Sequence, residues 1–148
     1  MSGRYDGRKV LVVGAARSGI AAAQFLLSRG ARVTLTDAKT EVALAAQLRS
    51  LRDAPGAAAN LTLELGDNRA GAFAECDLVV TSPGVPLTLP VFDESRKRGI
   101  PVIAEVELAS RHLRGTILAV TGSNGKTTVA TLLDEMMRSA GFRSRTAG

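Results

Sequence analysis

Short apolar runs alternate with segments whose apolar residues recur at helical spacing along most of the chain. The apolar runs predict five strands, at residues 9–13, 31–36, 61–65, 77–81 and 101–103. The segments between them predict helices at residues 20–27, 41–52, 90–98 and 105–111, a helical turn at 70–75 and an alanine loop at 57–59. Strands that alternate with helices are typical of a doubly wound α/β fold with a parallel sheet and helices on both faces.

The pattern restarts after Leu113-Arg114-Gly115, where residues 116–121 predict a new strand and residues 126–140 a helix. The apolar positions of that helix need more sheet than one or two strands can give; they are Val129, Leu132, Leu133, Met136 and Ala140. We therefore predict a first domain over residues 1–114. Residues 115–148 are predicted to be the truncated start of a second α/β domain, namely its first strand, a phosphate-binding loop and a helix.

Composition and cysteine usage narrow the class of protein. The 148 residues are 45% hydrophobic but only 3% aromatic, so a core must be built from aliphatic side chains. The lone Cys76 cannot form an internal disulfide, and the lone His112 cannot build a multi-histidine metal site. We interpret Cys76 as a packing residue and His112 as a solvated helix end. With no run of about 20 apolar residues, the sequence favours a cytoplasmic chain without a membrane span.

The net charge of +5 does not indicate nucleic acid binding. Basic residues are spread along the chain, and aromatic residues for base stacking are nearly absent. Solvated helix ends and small anionic ligands account for this charge.

A glycine-rich loop opens the last predicted helix. It reads Gly122-Ser123-Asn124-Gly125-Lys126-Thr127-Thr128. Glycines let backbone N–H groups turn toward phosphate, a lysine supplies a cation, and a threonine hydroxyl can bind Mg²⁺. The common P-loop would have glycine where Val120 stands. The loop predicts a nucleoside triphosphate site, and its alternative is a strand-to-helix turn in which the glycines serve only the turn.

A second glycine loop, Gly14-x-Ala16-x-x-Gly19, follows the first predicted strand and opens a helix. It matches a Rossmann-like fingerprint, and Asp37 ends the next strand where a ribose-binding acid is expected. Ala16 adds a methyl group where the fingerprint has its second glycine. A diphosphate can still bind the N–H groups of Arg17, Ser18 and Gly19. The alternative is a tight turn with close helix packing at Gly19.

The segment Ser82-Pro83-Gly84 follows the fourth predicted strand. Open α/β sheets bind ligands at the carboxyl ends of their strands, so these residues are candidates for ligand contact. An ordinary loop explains them equally well.

Five features, in this order along nearly the whole chain, resemble the Mur ligases of peptidoglycan synthesis. They are the loop 14–19, Asp37, the segment 81–85 (Thr-Ser-Pro-Gly-Val), the segments 99–102 (Gly-Ile-Pro-Val) and 105–108 (Glu-Val-Glu-Leu), and the loop 121–128 (Thr-Gly-Ser-Asn-Gly-Lys-Thr-Thr). Asn124 favours the members that add D-glutamate, because the members that add L-alanine typically have histidine there.

The resemblance implies that the first domain binds the UDP part of UDP-N-acetylmuramoyl-L-alanine. The residues carried over are Gly14, Arg17, Ser18 and Gly19 at the diphosphate, Asp37 and Lys39 at the uracil end, and Ser82, Pro83 and Gly84 beside the nucleotide. Ala38 departs from the hydroxyl residue often found at its position. Residues 122–128 would bind ATP. Lys126 would be the catalytic residue that stabilises the transferred phosphoryl group, and Thr127 or Thr128 would assist Mg²⁺.

In this family ATP converts the substrate carboxylate into an acyl phosphate, and the amine of D-glutamate then displaces phosphate. The remaining Mg²⁺ ligands and the D-glutamate site would lie beyond Gly148. The chain is therefore expected to bind substrate but to lack ligase activity. We expect the parent enzyme to be a monomer. In the fragment, we expect the helix after Lys126 to be mobile or to be buried in a dimer contact.

Two other functions remain open from the residues. A nicotinamide-dependent oxidoreductase domain would use Gly14, Gly19 and Asp37 but leaves the loop at Lys126 unexplained. A non-catalytic regulatory module that senses a nucleotide also remains open for this chain, because the predicted second domain is truncated.

Overall fold

The computed structural model describes residues 5–66 and 75–146, and the chain divides into two compact units between Leu113 and Arg114. The first unit alternates strands and helices. In chain order its elements are β1 (Lys9–Val13), α1 (Arg17–Leu27), β2 (Arg32–Asp37), α2 (Ala45–Arg52), α3 (Ala57–Asn60), β3 (Leu61–Leu65), β4 (Leu78–Thr81), α4 (Pro90–Lys97), β5 (Val102–Ala104) and α5 (Glu105–Ser110).

The strands of the first unit form one parallel sheet in the order β3-β2-β1-β4-β5. β1 lies at its centre, with Val12 beside Leu35 of β2 and Val80 of β4. The chain order therefore runs outward from β1 in one direction and then, from β4, in the other. This reversal is the topological switch point of a doubly wound sheet.

Both faces of the sheet are covered, which explains why β1 is apolar at successive positions. Val10 and Val12 pack on one side with residues of α1, α2 and α5, while Leu11 and Val13 pack on the other with Val91 and Phe92 of α4. Successive side chains of a strand point to opposite faces, so a strand between two helix layers has no polar side. The predicted α/β fold with helices on both faces is confirmed.

Small residues let α1 approach the sheet closely. Its buried positions include Gly19, Ala22 and Ala23, and it ends before Gly30, whose N–H donates to the carbonyl of Leu27. This helix is the first part of the crossover from β1 to β2, and its amino end stands over the carboxyl end of β1.

Most predicted elements of the first unit are present with shifted ends, and two local predictions were wrong. Residues 41–44 form turns, so that α2 begins at Ala45 rather than at Glu41. The alanine segment 57–59 belongs to the single helical turn α3 instead of a loop. The helical turn expected at 70–75 falls almost wholly outside the described residues.

The second unit contains the helix α6 (Lys126–Ser139), as predicted. The strand expected at residues 116–121 is absent, and none of its residues pairs with a described strand. A strand is stabilised by hydrogen bonds to a neighbour, and apolar sequence alone does not supply one. α6 has no buried residue; Val129, Leu132 and Met136 are all more than half exposed.

Candidate nucleotide-binding site

A cleft of about 240 Å³ opens at the switch point of the first unit, between the loops that follow β1, β2 and β4. Its lining residues are Val13, Gly14, Ala16, Asp37, Ala38, Ser82, Pro83, Gly84, Val85 and Pro86. The carboxyl ends of parallel strands meet here, and ligands of open α/β sheets bind at this position.

The turn after β1 depends on glycine at position 14. Gly14 has a φ of 98°, and its N–H donates to the carbonyl oxygen of Thr36 at 2.8 Å. A Cβ atom at this position would lie 2.9 Å from both Ser82 Cβ and Val85 Cγ2. The backbone conformation disfavours a larger residue, and the loop after β4 lies so close that it leaves no space for one.

Asp37 joins two of the cleft's loops through its carboxylate. Oδ2 accepts a hydrogen bond from the N–H of Ala15 at 2.7 Å, and Oδ1 accepts one from the N–H of Lys39 at 2.8 Å. The side chain is half-buried and also lines the cleft. An ionised carboxylate can accept further hydrogen bonds, so Asp37 holds the loops while leaving acceptor capacity toward the cleft.

The amino end of α1 has the features of an anion-binding site. Ala16 is its N-cap residue, makes no side-chain cap, and is followed by a first turn without an acidic residue. The first N–H groups of a helix have no partner inside it and carry the positive end of the helix dipole. Arg17 is exposed and Ser18 is half-buried on this turn. A phosphate would therefore meet backbone N–H groups, a hydroxyl and a guanidinium.

Ser82 differs from its neighbours Pro83 and Gly84, which are exposed at the cleft. Ser82 is 4% exposed, and its hydroxyl donates to the carbonyl oxygen of Gly14 at 3.0 Å. Its polar hydrogen is thus used within the protein.

In the loop of the second unit, the exposed side chain of Lys126 folds back onto the loop backbone. The ammonium of Lys126 donates to the carbonyl oxygens of Gly122 at 2.6 Å and Ser123 at 3.3 Å. Gly125 is the N-cap of α6 with a φ of 76°, and Asn124, Thr127 and Thr128 are exposed. The loop thus combines a cation, open helix N–H groups and hydroxyls, a donor set that fits a polyphosphate.

The family model described as Mur ligase MurD-like, N-terminal domain, matches residues 8–104. The chain belongs to this family. It is 46% identical over 142 residues to the UDP-N-acetylmuramoylalanine--D-glutamate ligase of Desulfatibacillum aliphaticivorans, and 48% identical over 136 residues to that of Desulfosudis oleivorans. These matches cover 96% and 92% of this chain but 30% and 28% of the relatives. The MurD-like chain therefore spans less than a third of the length of these relatives.

Solved Mur ligases share the fold of this MurD-like chain. A murein peptide ligase of Psychrobacter arcticus matches with a TM-score of 0.57 at 22% identity, covering 91% of this chain and 27% of that one. The UDP-N-acetylmuramate-alanine ligase MurC of Thermotoga maritima matches with a TM-score of 0.53 at 23% identity, covering 90% and 30%. At such identities the likeness concerns the fold alone.

The MurD-like fold brings together most residues predicted for the UDP site. Gly14, Asp37, Ser82, Pro83 and Gly84 line one cleft, and the turn 17–19 starts α1 beside it. The exposed Lys39 is tied to Asp37 only through its N–H.

Sequence reasoning missed the lining residues Val85 and Pro86 and the role of Ala15 as a donor to Asp37. Val85 and Pro86 directly follow the Ser-Pro-Gly segment, and that adjacency could have indicated them.

The prediction of a solvated His112 was wrong. His112 is half-buried, with Nε2 3.0 Å from the Tyr5 hydroxyl and its ring centroid 4.9 Å from that of Phe25. Aromatic contacts across 107 residues of sequence hold it in place. Cys76, by contrast, packs at the edge of the smaller core cluster as expected, and burial raises the pKa of its thiol.

Residues 5–66 and 75–146 contain neither a candidate metal centre nor a candidate membrane span. No group of three or more His, Cys, Asp or Glu residues there could hold a metal ion. No helix in that part of the chain is long and apolar enough to cross a membrane.

Proposed function

We propose that this chain is the N-terminal part of an ATP-dependent ligase that adds D-glutamate to UDP-N-acetylmuramoyl-L-alanine in the cytoplasm. In this proposal residues 1–114 bind the UDP-sugar and residues 115–148 begin the ATP-binding domain. The observation that carries it is the switch-point cleft, which joins the Gly14 loop, Asp37 and the Ser82 loop in a MurD-like domain. The names of relatives at 46% and 48% identity supply the substrate and the amino acid.

The diphosphate would bind at the start of α1. The N–H groups of Arg17 and Ser18 have no partner inside the helix, and the exposed guanidinium of Arg17 adds a positive charge. Ala16, the N-cap residue of α1, lines the cleft, so a diphosphate bound there would lie at the amino end of the helix.

The uracil would lie toward the end of β2. Uracil offers an N–H donor between two carbonyl acceptors. The Asp37 carboxylate retains acceptor capacity, and the exposed Lys39, two residues further along the chain, supplies a positive charge. This acceptor and cation pair suits the edge of a pyrimidine. Pro83 and Gly84 would flank the nucleotide from the β4 side.

ATP would bind at residues 122–128, where bound ATP would supply the phosphoryl group that activates the substrate carboxylate. Lys126 would leave its loop carbonyls to neutralise phosphate charge, and open N–H groups at the start of α6 would donate to phosphate oxygens. Thr127 or Thr128 can contribute one hydroxyl to Mg²⁺.

Calorimetric titration of the purified chain with UDP-N-acetylmuramoyl-L-alanine, run beside NAD, tests the substrate assignment. We expect saturable binding of the UDP-sugar and none of NAD. Arg17→Ala should weaken binding by about tenfold because a charge-assisted contact to phosphate is removed. Arg49→Ala, an exposed arginine of α2 that does not line the cleft, is the matched control. Binding of NAD alone would support the oxidoreductase instead.

We also propose that the chain lacks ligase activity by itself. Incubation with ATP, Mg²⁺, UDP-N-acetylmuramoyl-L-alanine and D-glutamate should release no ADP above the level without D-glutamate. ADP release that depends on D-glutamate would contradict this part of the proposal.

A further inference from the structure

Ser82 sits where β4, the glycine loop and α1 meet. Its N–H donates to the carbonyl oxygen of Val13 at 2.9 Å, and its hydroxyl donates to the carbonyl oxygen of Gly14 at 3.0 Å. A Cβ atom on Gly19 would lie only 2.4 Å from Ser82 Oγ, so the hydroxyl is enclosed beneath the first turn of α1. The side chain therefore lies against both the glycine loop and the first turn of α1.

Together with Asp37, Ser82 holds a single peptide group from both sides. The carbonyl of Gly14 accepts from Ser82 on β4, and the N–H of Ala15 in the same peptide donates to Asp37 Oδ2 on β2 at 2.7 Å. A trans peptide is planar and its C=O and N–H point in opposite directions. Two partners on opposite sides therefore fix the rotation of this peptide plane.

The orientation of this peptide determines how the chain enters α1. Ala16 follows directly, and the free N–H groups of the first turn come next. If the Gly14–Ala15 peptide rotates, those N–H groups no longer point together at one anion. A glycine at position 14 makes such rotation easy, because it lacks the Cβ atom that would restrict its backbone.

We infer that Ser82 is a positioning residue for the diphosphate of the nucleotide ligand: it acts through the Gly14 carbonyl and makes no contact with the ligand itself. This inference rests on the proposed function, in which the first unit binds a UDP-sugar. It assigns Ser82 a different role from direct substrate contact, and it predicts an effect confined to the phosphate part of the ligand.

Ser95 offers a matched control for Ser82. It is 1% exposed, and its hydroxyl donates to the carbonyl oxygen of Val91 at 2.9 Å within α4. Ser82→Ala and Ser95→Ala thus remove the same group, from similar burial, with the loss of one similar hydrogen bond. The two variants should change thermal stability similarly, and only Ser82→Ala should change phosphate binding.

Titrations of ¹⁵N-labelled full chain with UDP and with uridine, followed by amide NMR, provide the test. In Ser82→Ala we expect the Kd for UDP to rise about fivefold to tenfold, with the Kd for uridine unchanged. The Ala15 and Ala16 amide resonances should broaden or shift before ligand is added. Ser95→Ala should show neither effect.

Four results would overturn the inference. Unchanged UDP affinity in Ser82→Ala, or equal weakening of UDP and uridine, would contradict a role confined to the diphosphate. Unchanged Ala15 and Ala16 resonances would contradict the peptide clamp even if UDP binding were weaker. Failure of the unmodified chain to bind UDP would refute the proposed function, and this inference with it.

Discussion

The carbonyl oxygen of Gly14 lies where a side chain on Gly19 would begin: a Cβ atom on Gly19 would be 1.9 Å from it. Real Cβ atoms do not approach an oxygen so closely, so α1 could not reach its position over the loop with any other residue there. The glycine therefore serves the packing of helix on strand, whether or not a ligand is bound.

Gly19→Ala should destabilise the chain by about 3 kcal/mol or more, because backbone on both sides of the contact must move. Urea denaturation measures the change. Gly7→Ala is the comparison: its added Cβ has nothing within 4 Å, so it measures the cost of a φ of 70° alone, a cost that the helical Gly19 does not carry. A Gly19→Ala variant no less stable than Gly7→Ala would show that the loop adapts.

Thr36→Val should stabilise the chain. Thr36 is 1% exposed, and its Oγ1 has no hydrogen-bond partner in the part of the chain that the structure describes. Replacing a buried hydroxyl that makes no hydrogen bond with a methyl group of similar size should gain about 1 kcal/mol. Thr34→Val, at a half-buried position of the same strand, should change little. A loss of stability in Thr36→Val would indicate that the hydroxyl has a partner.

Asp37→Asn should lower the stability of the chain, and loosen the loops around the cleft, even without ligand. An asparagine amide has one acceptor oxygen, so one of the N–H groups of Ala15 and Lys39 would face an NH₂ donor. We expect a loss of about 1 to 2 kcal/mol in the free energy of unfolding, together with weaker UDP-sugar binding. Asp53→Asn, an exposed residue at the end of α2, should leave both unchanged. Hydrogen exchange at the Ala15 amide reports the local change directly.

Cys76 should make stability fall at alkaline pH. Burial raises the pKa of its thiol, and the neighbouring Asp77 carboxylate adds to the rise. The folded chain therefore favours the neutral thiol. The contribution of this thiol to the free energy of unfolding is complete below its unfolded pKa of about 8.5. It is lost as the pH rises through the higher pKa that the thiol has in the folded chain. Cys76→Ala should show a smaller decrease in unfolding free energy between pH 8 and pH 10 than the unmodified chain. Equal decreases in the two chains would show that the Cys76 thiol does not cause the loss of stability at alkaline pH.

Local sequence predicted most elements of the first unit, because burial imposes a recognisable period. β1 is apolar at successive positions since both its faces are covered, and Pro90 begins α4 because proline fits the first turn of a helix. The loops at Gly14 and Ser82 were located in the same way, each at the end of an apolar run. Most residues predicted for the UDP site, though not Lys39, line one cleft or start the helix beside it, because parallel strands bring their carboxyl ends to one edge.

The sequence by itself determined the alternation of strands and helices and the positions of the glycine turns, since these depend on side chains a few residues apart. Tertiary structure alone decided which distant groups meet. It brought Ser82 to the Gly14 carbonyl across 68 residues and His112 to Tyr5 across 107. It also decided that residues 116–121, although apolar, form no strand, because strand pairing needs a neighbouring strand and a local apolar pattern does not provide one.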